Sequence, residues 1–384
     1  MPILALGAAL QLAWVAIHVR VGFFGDLDAR IVYTKAGRSL LHGSYPRSAY
    51  PAGAVGLFGL EVLLGRGSAR IANGLLMVPF QLTCVAALWS LRTRWCRWIA
   101  ACLALWPLDL FFWEFRFDLV PAAALLAGLA LAYSERWHAA GWALGIGAAA
   151  KWTPGLAAVG LCLWLLRSCR GRAAAAHAAG FALPILLAYV PLLLLSPSEA
   201  LDPYRAQPVR AVNGESLPYL VLRVLGLAHP GRHYYADALA PGWSSAGAVV
   251  LQLVAVAALA VGTARARSAR QAIGLAALLP VAFLLTNRIF SPQFMVVIVA
   301  GVAFSAALAD HGPRRLLLAL GALAAGTVGN ATLFPSLAGP LAEHPGWTFA
   351  SAAALLLPVA AALVLATSRP SCDEPIAGVV SQGA

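Results

Sequence analysis

Apolar runs of about 20 residues recur along the whole chain, separated by short polar or basic stretches. As helix, a run of that length crosses the roughly 30 Å hydrocarbon core of a bilayer. Spans are predicted at about 2–23, 68–91, 98–113, 119–133, 137–166, 173–195, 243–263, 271–286, 291–309, 314–334 and 347–367. The apolar run 51–65, about 15 residues, is short for a span and suits an interfacial or re-entrant helix. The alternating segments of about ten residues that mark a transmembrane β-barrel are absent. Within 137–166 the sequence KWTP puts Lys151 in mid-run and Pro154 just after it. A bare Lys at mid-bilayer costs about 2.5–3.5 kcal/mol, and Pro disfavours helix immediately upstream. This segment is therefore predicted to form two short helices meeting at 151–153. The fold class is an all-α polytopic membrane protein of about 12 hydrophobic helices: a single transmembrane domain over 1–367, then a cytoplasmic tail, 368–384, read as disordered.

Composition agrees. The chain is 61% hydrophobic and 11% charged, against roughly 25% charged in soluble domains. The net charge of +12 does not point to nucleic acid, because the arginines sit in short clusters between apolar runs. Those clusters also set the orientation. With the N-terminus inside and 51–65 not spanning, the clusters at 92–97, 134–138, 167–172, 264–270 and 311–315 all fall on the cytoplasmic side. The two largest polar segments, 24–67 and 196–242, then fall outside, and so does any chemistry. Both termini are cytoplasmic, in a multi-pass protein of the plasma membrane. The six cysteines include no CxxC pair and read as small apolar residues; no metal site or cofactor fingerprint is present.

Four groups of polar residues could carry chemistry. Asp26 and Asp28 lie just past the first span, where a carboxylate either caps a helix or acts as a general base. Glu114, Arg116 and Asp118, with Asp109 deeper, cluster at a span end, as an ion-pair set or a pocket wall. Lys151 has no carboxylate near it in sequence, and an intramembrane cation of that kind suits an anionic partner such as a lipid-linked phosphate. Asn287, Arg288, Ser291 and Gln293 lie between two apolar spans, as a plain turn or as a sugar or phosphate contact. His18 and His177 read as helix contacts, and Arg205, Arg210, His233, Tyr234 and Tyr235 show no spacing that selects a role.

Taken together, these motifs resemble a known family. The stretch around Tyr33, Gly37, Gly43 and Tyr45, then Tyr50-Pro51, is similar to the first outer loop of glycosyltransferase family 87, in the GT-C superfamily. So are RFDLVPAA (116–123), GAAAKWTP (147–154) and NRIFSPQF (287–294). The match spans about 1–310, with four motifs in the family's order. It departs at Ala52, where the family's Tyr-Pro-Pro has its second proline.

The resemblance implies a GT-C-type fold with a juxtamembrane helix in the first outer loop. It also implies inverting transfer of a hexose, usually mannose, from a polyprenyl-phosphate carrier to a lipid or glycan acceptor on the outer face, without a nucleotide sugar. Its catalytic carboxylate falls on Asp28, with Asp26 as second choice. The donor phosphate is assigned to Lys151, Arg116 and Arg288, and the substrate pocket to Tyr33, Tyr50, Glu114, Asp118, Asn287 and Gln293. The competing expectation is a multi-span transporter or flippase of lipid-linked or small anionic substrates.

Overall fold

The computed structural model describes residues 2–21, 28–67, 69–104, 116–205, 216–229, 241–308, 312–333 and 353–367, with short pieces at 212, 237–238 and 350. Asp26, Asp109, Glu114, Arg210, His233, Tyr234, Tyr235 and the tail lie outside the described residues, as do the side chains of Asp28 and His18.

The described residues are helical almost throughout. The helices are α1 (Pro2–Val21), α2 (Thr34–Leu41), α3 (Ala52–Leu64), α4 (Ala69–Ser90), α5 (Cys96–Ala104), α6 (Leu119–Tyr133), α7 (Trp137–Ala150) and α8 (Pro154–Arg167). They continue as α9 (Gly171–Leu195), α10 (Pro197–Arg205), α11 (Leu217–Val224), α12 (Pro241–Ala264), α13 (Ala269–Thr286), α14 (Met295–Leu308), α15 (Pro313–Leu333) and α16 (Leu356–Ala366). One departure from the all-α expectation is a two-residue antiparallel pairing, Ala228–His229 with Asp237–Ala238.

Four helical stretches are long and apolar enough to cross a membrane: Ala72–Ser90, Gly171–Leu195, Ala246–Ala264 and Ala269–Thr286. Other apolar helices are shorter, 10–17 residues, beside these four of full length among the described residues. Parts of the expected spans 98–113 and 347–367 lie outside them. Helix α3 has 13 residues and reaches about 20 Å, well short of the hydrocarbon thickness. The segment 137–166 breaks where its sequence requires. Helices α7 and α8 have 14 residues each, with Lys151 extended between them (φ −158°, ψ 109°) and Pro154 opening α8.

The broken pair folds back on itself. Arg170, after α8, pairs with Glu135, before α7, at 3.2 Å, and the Trp137 and Trp164 rings lie 6.1 Å apart. The buried His177 ring lies 3.1 Å from the Ala158 carbonyl and 3.3 Å from that of Trp137, the helix-contact role expected of it. Small residues allow α7 and α9 to touch backbone to backbone, since a Cβ on Gly141 or Gly180 would lie 2.1 Å from a carbonyl oxygen of the facing helix. Bilayer interfaces favour such contacts, because lipid tails leave close packing as a main source of helix association.

The arginine-rich loops gather at one end of the bundle. There Thr93 donates to the Ala307 carbonyl (2.6 Å), Trp164 to Ala266 (3.2 Å) and Arg270 to Leu308 (2.5 Å). Lys151, Asp118, Gln293 and the α3 N-terminus lie at the other end. The positive-inside rule gives the expectation of a cytoplasmic basic end. In a cysteine-free background, Ser44→Cys is expected to react with an impermeant maleimide added outside, and Arg267→Cys only after permeabilisation. The opposite pattern would invert the orientation.

Candidate functional site

Each residue at the non-basic end is placed by a helix terminus. Asp118 stands at the N-terminal boundary of α6 but does not cap it. Its carboxylate instead reaches 33 residues along the chain to Lys151, and Oδ1 accepts from the ammonium Nζ. Asp118 is fully buried, and Oδ2 has no hydrogen-bond partner among the described residues. The expectation that Lys151 stands without a carboxylate is thereby corrected: the cation is isolated in sequence and paired in space. Desolvation is the reason, because a buried ammonium and a buried carboxylate are each costly alone and tolerable together.

Aromatic rings complete the surroundings of the ammonium. Lys151 Nζ lies 4.2 Å from the Phe294 ring centroid and 5.6 Å from that of Phe117, within cation–π range. Phe117 also belongs to a box with Tyr33, Tyr50 and Phe58. Tyr33 stacks on Phe58 at 4.0 Å, and the remaining pairs meet edge to face at 5.4–5.8 Å. Tyr33 comes from a π-helical turn, Asp28–Tyr33, that runs into α2. The segment that follows α1 is thus packed directly against RFD and, through Phe117, against Lys151.

The third motif joins through Arg116. This buried guanidinium donates from Nε to Gln293 Oε1 at 2.8 Å, which fixes the plane of its fork. Gln293 sits in a short 3-10 turn, Pro292–Phe294, leading into α14. The Pro292 carbonyl accepts from Asn330 Nδ2 at 3.1 Å, which ties the turn to α15. The motif that supplies Asp118 thus holds the Arg116 guanidinium and, through Asp118 and Phe117, the Lys151 ammonium.

No protein-family model and no curated protein matches the chain.

Not every expected residue joins this cluster. Asn287 closes its own loop, its Oδ1 accepting from the Ile289 amide at 3.2 Å, which is an Asx turn. Arg288 is half-buried in that loop. Asp28 contributes backbone at the start of the turn that carries Tyr33. Phe58, Phe117 and Phe294 were not expected as site residues, although two of them stand inside quoted motifs. A second tyrosine group lies nearby. Tyr189 Oη accepts from the Ala52 amide (3.3 Å) and shares a hydrogen bond with Tyr204. Burial, then Tyr204, push the Tyr45 phenol above its ordinary range, so it stays protonated and able to donate.

Proposed function

We propose that this protein is a membrane glycosyltransferase that moves a hexose, mannose by the resemblance, from a polyprenyl-phosphate carrier to a lipid or glycan acceptor on the outer face. The observation that carries the reading is the meeting of RFD, KWTP and SPQF, far apart in sequence, around the positive charges of Arg116 and Lys151 beside the aromatic box of the first outer loop. A lipid-linked phosphate needs such a charge, and a sugar ring packs well against aromatic faces.

In the mechanism, Asp28 accepts the proton of the acceptor hydroxyl as its oxygen attacks the anomeric carbon, with inversion. The bond from that carbon to the phosphate oxygen breaks, and the polyprenyl phosphate leaves with the electron pair. Arg116, held in plane by Gln293, and Lys151, drawn partly away from Asp118, offset the charge developing on the phosphate. The Asp118 carboxylate keeps the ammonium aimed while no phosphate is bound.

Purified protein in proteoliposomes, given radiolabelled polyprenyl-phosphate mannose and an extract of acceptor lipids, is expected to transfer the label. Lys151→Gln should cut that rate strongly while the protein remains folded. Near wild-type transfer by Lys151→Gln would instead make the lysine an interfacial anchor. The transporter reading draws on the extended break between two half-length helices, a feature that lines sites in carriers. Movement of intact lipid-linked sugar across the vesicle wall, without transfer, would favour it.

A further inference from the structure

The mechanism leaves one basic surface unused. Lys35, Arg38 and His42 recur at i, i+3 and i+7 on α2 and its C-cap, which puts them on one exposed helix face. With Ile31, Thr34, Ser39 and Ser44 they line an open groove of about 510 Å³. No lining residue is acidic, and no carboxylate among the described residues pairs with Lys35, Arg38 or His42.

The groove is built rather than incidental. Helix α2 is pressed on α3 so closely that a Cβ on Gly37 would lie 2.2 Å from the Phe58 carbonyl oxygen. Arg38 is pinned by Nε (3.1 Å) and Nη2 to the Gly67 carbonyl, so its guanidinium is held in place with Nη1 unbonded among the described residues. Gly43 adopts φ +78°, a left-handed turn that returns the chain, and the Ser44 amide and hydroxyl both donate to the Ser39 carbonyl at 3.0 Å.

Position argues for the occupant. The groove lies at the end opposite the arginine clusters, where a topology set by positive charge would be expected to avoid cations. Exposed apolar side chains belong to the same two packed helices and the turn before them: Ile31, which lines the groove, is 51% exposed, Leu41 on α2 50%, and Leu63 and Leu64 on α3 64% and 57%. Leucines so exposed belong against acyl chains rather than water. A fixed guanidinium, an ammonium, an imidazole and the Ser39 hydroxyl at that level match a phosphate tethered to a lipid.

We propose that the α2 groove binds the headgroup of an anionic phospholipid. This site is distinct from the Lys151 cluster, and the proposal stands independently of the transfer reading. The test is native mass spectrometry of the purified full-length protein with phosphatidylglycerol and, separately, phosphatidylcholine of the same chains. Wild type is expected to retain phosphatidylglycerol preferentially, and Lys35→Gln/His42→Gln to lose about tenfold in retention. Neither side chain makes a hydrogen bond within the described protein, so the variant should fold. If it does not, Lys35→Gln alone should still lose severalfold. Equal retention of the two lipids by wild type, or undiminished phosphatidylglycerol retention in the variants, overturns the proposal. Full displacement of bound phosphatidylglycerol by millimolar inorganic phosphate overturns the lipid assignment in favour of a free anion; retention in its presence supports it.

Discussion

Asp118→Ala is expected to destabilise the protein by about 3–5 kcal/mol and to abolish transfer. The carboxylate is fully buried and is the ion-pair partner of Lys151. Removing the buried carboxylate leaves the partly buried ammonium uncompensated, which is the costly way to break such a pair. The rings of Phe117 and Phe294 soften the loss by holding the cation, so the lower end of the range applies if Lys151 stays charged. A compensating change separates stability from chemistry. Asp118→Ala/Lys151→Met should regain most of the thermal stability, because no unpaired charge remains, yet stay inactive. Thermal unfolding in detergent, read beside the transfer assay, reports both. Were the single variant as stable as wild type, or the double variant no better than the single, the pair would not be the keystone described.

The second large effect is expected at Asp28. Asp28→Asn keeps the size and much of the capping ability of the side chain but cannot accept a proton, so transfer should fall by about 10²–10⁴-fold in a protein that folds and inserts normally. Asp26→Asn discriminates the alternative base two residues upstream. The kcat should collapse with little change in KM for donor, since neither carboxylate is assigned to the phosphate. Full activity in the double Asn variant would remove the first outer loop from the mechanism.

Much of this was legible in the sequence for local reasons. Apolar run lengths gave helices, and the one-sided arginines gave two distinct ends. The KWTP sequence gave the break at Lys151, because an ammonium and a proline in one apolar run leave few other solutions. The length of 51–65 gave a short separate helix, found as α3. Less legible were α2, α10 and α11, short helices inside stretches read as polar loops. These helices are too short to stand without packing: α2, eight residues long, is held by burying Thr34, Ala36 and Gly37.

What sequence by itself determined was the solvent of this protein, its helical class, the sidedness of its charges and the identity of its polar residues. Which of those residues meet was decided only by the tertiary structure. Lys151 has no acid within reach along the chain, so its pairing with Asp118 depends on α6 and α7 running antiparallel until their outer ends coincide. Arg116 and Gln293 are separated by 177 positions and meet through the turn before α14. Asn287, similar in type and only six residues from Gln293, is instead held within its own loop. The physical reason is common to all three. In a low-dielectric interior a polar group must find a partner, and which partner it finds depends on helix packing that no local pattern encodes.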